Sequence, residues 1–164
     1  MSASPVSDAQ IAAYRQQHIG RLLLRAHRAY DAWAIAKLHA RGHEALTPAD
    51  TTLLVNLDTE GMRLTTLAQR AGVTKQAMGQ LAQDLERKGY IIRTPDPTDA
   101  RATLVTFTDM GWQFLRDAHD LKREIEAEYV AVLGEAEFTA LQSALATLLA
   151  HVAPTASTES EGER

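Results

Sequence analysis

Residues 65–108, TTLAQRAGVTKQAMGQLAQDLERKGYIIRTPDPTDARATLVTFT, decide how this 164-residue chain is read. Leu67, Ala68 and Ala71 recur at helical spacing, Thr65 is placed to cap the helix they mark, and Gly72 turns the chain out of it. Thr74 has the type and place of a cap for a second helix that runs to Lys88 and stops at Gly89. Ala77, Met78, Leu81, Ala82 and Leu85 form the apolar stripe of that helix, whereas Lys75, Gln76, Gly79, Gln80 and Gln83 share its opposite side. Beyond it, 90–94 and 103–107 are rich in β-branched and aromatic residues and flank a Pro-Asp-Pro-Thr-Asp-Ala-Arg connection. That pattern predicts a hairpin with a stiff, polar tip carrying Arg101.

The flanks are helical. Ser7 and Gln10 have capping-box spacing, and Ile11, Tyr14, Leu22, Ala26, Ala29, Trp33 and Ala36 predict one long amphipathic helix ending near Gly42. A further helix is expected after Thr47, with Pro48 at its first position, Asp50 at the positive end of its dipole, and Leu53, Leu54 and Leu57 facing inward. A minor strand fits 62–64. Downstream, Leu115, Ala118, Leu121, Ile125, Tyr129 and Val132 mark a long helix, and after Gly134 a last helix carries Phe138, Leu141, Leu145, Leu148 and Val152. Residues 153–164 are dominated by Pro, Ala, Ser, Thr, Glu and Gly, a composition expected to form a disordered acidic tail. The fold class is therefore mostly α (α+β). A winged helix-turn-helix at 47–108 is flanked by long helices, 8–42 and 109–152, that form a dimerisation region, because a winged helix of this size cannot cover three further apolar stripes.

Composition narrows the function. Hydrophobic residues make up 45% and charged residues 23%, with no apolar run near the roughly 20 residues that span a bilayer, so no membrane partner is expected. The first eight residues do not read as a secretory signal, and a cytoplasmic location follows. The absence of cysteine removes disulfides, thiolate nucleophiles and cysteine-ligated metals. The net charge of −4 argues against a nucleic-acid partner until its distribution is considered. Acidic residues crowd the C-terminal third, while Arg63, Arg70, Lys75, Arg87, Lys88, Arg93 and Arg101 concentrate in the middle, a local basic footprint.

Major-groove reading requires short polar side chains on an exposed helix face. Gln76, Gln80 and Gln83 can pair bidentately with adenine, and Lys75 can reach a guanine or a phosphate. Gly79 either lets the backbone approach the bases or accommodates a tight crossing with the preceding helix. A hairpin tip can deliver Arg101 into a narrow minor groove, an electrostatically favourable place for it. Thr74, Arg93 and Asp99 complete the candidate DNA-binding set. A surface ion pair between Asp99 and Arg101 is the plainer alternative for the last two.

Leu67-Ala68-Gln69-Arg70-Ala71-Gly72-Val73, Leu85-Glu86-Arg87-Lys88-Gly89-Tyr90, Asp96-Pro97-Thr98-Asp99-Ala100-Arg101 and Thr106-Phe107-Thr108-Asp109-Met110-Gly111 together resemble the MarR family of bacterial and archaeal transcription regulators. The wing's Asp-x-x-Asp-x-Arg is the most specific element, and Ala100 stands where the family often has Arg or Gly. The resemblance implies that Arg101 enters a minor groove beside the recognition helix and that Asp99 holds the wing and its arginine in position. It also implies a triangular homodimer on palindromic double-stranded DNA, repression, and release by a small aromatic or lipophilic effector.

Tyr14, His18, Arg21, His27, Tyr30 and Trp33 form a mixed apolar and cationic surface that could hold such an effector. His39 and His43 stand one helical turn apart, but with no third ligand evident they read as a surface pair, and neither a metal nor a cofactor is expected. No phosphate loop, nucleophile elbow or carboxylate–histidine cluster points to catalysis. The rival reading is a protein-interaction module in which the winged helix packs on a partner and does not bind DNA.

Overall fold

The computed structural model describes Ser7, Asp8, Ile11, Tyr14, Arg15 and residues 18–152, apart from the Ala100 side chain. Gln10 of the expected capping box and the expected tail at 153–164 lie outside the described residues. The elements run α1 (Ile19–His39), α2 (Pro48–Leu54), β1 (Met62–Arg63), α3 (Leu64–Arg70), α4 (Lys75–Arg87), β2 (Ile91–Asp96), β3 (Asp99–Phe107), α5 (Asp109–Leu133) and α6 (Glu135–Val152). Helices dominate, and the three strands form one antiparallel sheet in the order β1-β3-β2.

Local signals set most of these boundaries. At the start of α2, Thr47 and Asp50 close a reciprocal capping box with Pro48 in the first turn. Thr74 accepts from the backbone N–H of Ala77 to start α4, and Gly89, at φ 83°, provides the left-handed stop that few other residues adopt without strain.

Three expectations are corrected. The first helix is not continuous: Asp8, Ile11, Tyr14 and Arg15 are helical, but His18 is extended and α1 starts anew at Ile19. The His18 ring supplies the reason, since its Nδ1 accepts from the backbone N–H of Arg21 at 3.3 Å and caps the new helix. Thr65 does not cap α3. Pairing of Met62 with Val105 and Arg63 with Leu104 keeps the chain extended through Arg63, so the helix begins where the ladder ends, at Leu64. The hairpin, finally, is longer and its tip tighter than predicted, with only Pro97 and Thr98 between the strands. β2 can contain Pro95 because it is an edge strand, and the ladder is irregular immediately after it.

The chain divides into two compact units, Met1–Lys122 and Arg123–Arg164. The first owns a core drawn from every element between α1 and α5: Leu38, Leu53, Leu54, Leu67, Met78, Leu85, Ile91, Val105, Phe114 and Leu121 are all buried. Each such side chain contributes about 1.5–3 kcal/mol relative to leaving it in water. Gly111 admits α5 to this core, because a Cβ there would meet the Tyr90 carbonyl oxygen and the Phe107 ring. In the second unit Ile125 is buried, and α6 buries none of its residues.

Candidate nucleic-acid interface

α4 divides its faces as its period requires. Met78, Ala82 and Leu85 are buried, while Thr74, Lys75, Gln76, Gln80 and Gln83 are exposed together on the other side. A Cβ at Gly79 would meet nothing within 4 Å, so no close helix crossing requires glycine there. Of the two readings of Gly79, that removes the packing one.

Ion pairing sorts the basic residues of the middle segment. Arg63 binds Asp96 at 2.6 Å, Arg70 binds Asp58, Arg87 binds Asp84, Lys88 binds Asp50 at 2.7 Å as well as Asp84, and Arg93 binds Glu86 at 2.7 Å. Among the described residues, Lys75 and Arg101 are the members of that group whose side-chain charge has no partner within the chain. Arg93, one of the candidate DNA-binding residues, is engaged within the chain: its backbone N–H and its guanidinium both donate to Glu86, whose carboxyl is held below the usual range chiefly by that arginine's side-chain hydrogen bond. A guanidinium so engaged already has its charge matched by a carboxylate within the chain.

Lys88 is structural too. Burial pulls its ammonium down, but hydrogen bonds to Asp50 and Asp84 outweigh this, leaving it above its ordinary value. The C-terminal end of α4 is thereby tied to the first turn of α2.

At the wing, Asp99 Oδ1 accepts from the backbone N–H of Arg101 at 3.1 Å, and the arginine side chain is exposed. The sequence missed the fuller arrangement behind it. Asp96, 8% exposed, accepts from the backbone N–H and hydroxyl of Thr98 through Oδ1 and from Arg63 Nε through Oδ2. Hydrogen bonds from Thr98, then the one from Arg63, hold the Asp96 carboxyl far below the ordinary carboxylate range.

A second missed cluster lies under the base of the wing. His43 is not a surface residue: it is 4% exposed, with Nδ1 2.9 Å from the Tyr90 hydroxyl and Nε2 3.0 Å from Asp117 Oδ2. Burial raises Asp117, but hydrogen bonds from Gln113 and His43 prevail and its carboxyl lies below the ordinary value. An ionised carboxylate only accepts, so His43 Nε2 donates to Asp117, while Nδ1 and the Tyr90 hydroxyl share the second hydrogen bond. His39 is used separately, with Nε2 2.8 Å from the Leu46 carbonyl oxygen. The sequence offers no local signal for a cluster whose members are 47 and 74 residues apart.

The expected effector residues do not come together. A cavity of about 320 Å³ lies between α1, α2 and α5, lined by Tyr30, Ile35, Leu38, Val55, Phe114 and Leu121 among others, with His27, Asp31 and Lys122 supplying charge. His27 and Tyr30 are the expected residues in its wall. Tyr14 and His18 stack on each other at 5.5 Å, Trp33 lies under the Lys37 ammonium, and Arg21 is exposed. The face of α1 that borders the hollow therefore includes part of the expected surface, His27 and Tyr30, and not Tyr14, His18, Arg21 or Trp33.

Comparison with known proteins agrees with this geometry. The family model described as "MarR family" matches residues 46–102. The HTH-type transcriptional regulator Mb0904 of Mycobacterium bovis is 33% identical over 100 residues, covering 60% of this chain and 70% of that protein. The chain belongs to the MarR family. The HTH-type transcriptional repressor MdtR of Bacillus subtilis is 30% identical over 101 residues, 61% of this chain and 65% of its own. In structure, the MarR-type fold is shared with the transcriptional repressor CouR bound to a 23-mer DNA duplex, at a TM-score of 0.67 and 26% identity, covering 88% of this chain and 99% of that one. Mb0904 and MdtR are both HTH-type regulators of transcription. Among the described residues no helix is long and apolar enough to cross a membrane.

Proposed function

We propose that this chain is a homodimeric, cytoplasmic repressor that binds palindromic double-stranded DNA, with α4 in the major groove and Arg101 in the adjacent minor groove. The observation that carries the reading is the exposed Gln76, Gln80 and Gln83 face of α4 with unpaired Lys75 at its start and unpaired Arg101 on the wing. Glutamine amides match the donor and acceptor pattern of adenine in the major groove, and Gly79 keeps the helix surface low between them. Thr74 caps the helix N-terminus, whose free N–H groups and dipole favour a nearby phosphate.

The exposed apolar surface supports a dimer built from 8–42 and 109–152. Leu22 is 47% exposed and Ala26, Ala29 and Ala36 are exposed along one side of α1, while Leu141, Leu148, Leu149 and Val152 are exposed on α6. Covering these with a second copy places two recognition helices about a two-fold axis, reading half-sites roughly 34–36 Å apart. A repressive sign is supported by the names of MdtR and CouR. The cavity suits a small aromatic or lipophilic effector, and since its wall joins α2 to α5, an occupant would bias the spacing of the reading heads.

Selection of bound fragments from random duplexes tests this. Recovery of a palindrome whose affinity falls steeply with added salt is expected, and absent or salt-insensitive binding would refute it in favour of a protein partner.

A further inference from the structure

The tip of the wing is held only in part by its own backbone, since the ladder shifts register between Pro95 and Asp96 before closing on the Asp96–Asp99 pair. Pro95 and Pro97 have no N–H to donate, and the β2–β3 ladder becomes irregular between Pro95 and Asp96. Yet this is the segment that positions Asp99 and, through it, the backbone of Arg101. Side chains reinforce the irregular ladder there. Asp96 folds back onto the N–H and hydroxyl of Thr98 at 2.7 and 2.6 Å, and Arg63 reaches across from β1 to both, with Nε 2.6 Å from Asp96 Oδ2 and Nη2 3.1 Å from Thr98 Oγ1. Arg63 is itself fixed at the start of α3 by its strand pairing with Leu104. The helix-turn-helix therefore grips the wing tip through one guanidinium.

We infer that Arg63 is a positioning residue for DNA binding: by clamping Asp96 and Thr98 it holds the hairpin tip in the geometry that aims Arg101. The inference rests on the proposed wing contact with DNA. Arg63 is a poor candidate for a phosphate ligand of its own, because its charge is already matched by Asp96 and two of its donors are used within the chain. A preorganised tip lowers the ordering cost of placing a long arginine in a groove.

The test is a double-mutant cycle on a duplex selected with the wild-type protein, comparing Arg63→Ala, Arg101→Ala and the double variant over a salt series, with thermal unfolding followed for each. A positioning role predicts that Arg63→Ala weakens binding about five- to tenfold in the wild-type background but less than about twofold once Arg101 is gone. Asp96→Asn is expected to reproduce the Arg63→Ala effect and carries the same cycle should Arg63→Ala fail to fold. An undiminished loss in the Arg101→Ala background makes Arg63 an independent phosphate contact and overturns the inference, as does wild-type affinity in Arg63→Ala. If wild type selects no duplex the function itself fails. If Arg101→Ala binds like wild type, the wing contact fails and the clamp with it.

Discussion

α4 and α6 are regular helices of 13 and 18 residues, yet they stand at opposite ends of the burial scale. Met78, Ala82 and Leu85 of α4 are buried within their own chain, whereas Leu141, Leu148, Leu149 and Val152 of α6 are 46–68% exposed. What α4 leaves outside is polar, whereas what α6 leaves outside includes large apolar side chains. A face of the first kind is at home in water and available to a polar partner; one of the second kind carries a solvation cost that association with another apolar face removes. Under the proposed function, the difference separates a reading surface from an assembly surface along one chain.

The sharpest way to break that comparison is to charge α6. Replacing Leu148 and Leu149 with Asp should convert the dimer to a monomer by sedimentation and lower duplex affinity at least about a hundredfold, since two linked heads bind with effective-concentration gains of that order. Unchanged sedimentation would remove α6 from the interface. On α4, Leu85→Ala should cost about 2–5 kcal/mol in urea unfolding through the cavity it leaves, while Gln83→Ala on the outer face should stay within about 0.5 kcal/mol. Equal costs at the two positions would contradict the assignment of faces.

The polar clusters should respond more weakly. Tyr90→Phe deprives the buried His43 Nδ1 of its hydrogen-bond partner and should destabilise by about 1–3 kcal/mol, read from the same unfolding curves. Acid should loosen the wing. Asp96 ionises more readily folded than unfolded, so its contribution is complete above the ordinary value of 3.8 and is lost as pH falls below it toward the depressed folded value. The stability of Asp96→Asn should accordingly vary less with pH than that of wild type between roughly pH 4 and pH 2. Parallel curves would show that Asp96 titrates alike in both states.

Local chemistry explains which of these features were legible in the sequence. The boundaries of α2 and α4 follow from Pro48, Thr74 and Gly89 together with apolar periodicity, signals that act within a few residues. The break before α1 was not legible, because apolar spacing continues across His18 while the ring that interrupts it works through one side-chain hydrogen bond. The candidate surface on α4 could be read from its period. Which arginines remain free could not, because Arg63, Arg70 and Arg93 differ from Arg101 only in the carboxylates that folding brings to them. His43 illustrates the same limit: its two partners arrive from the start of the wing and from α5, and spacing to His39 carries no information about either.

Reading of bases by the exposed face of α4 is the centre of this account, and the base-preference profile of Gln80→Ala on selected duplexes measures it most directly. The account predicts a loss of roughly 1–3 kcal/mol of discrimination at one symmetry-related position in each half-site, with the remaining positions unchanged. A profile identical to wild type, or a uniform loss at every position, would contradict it.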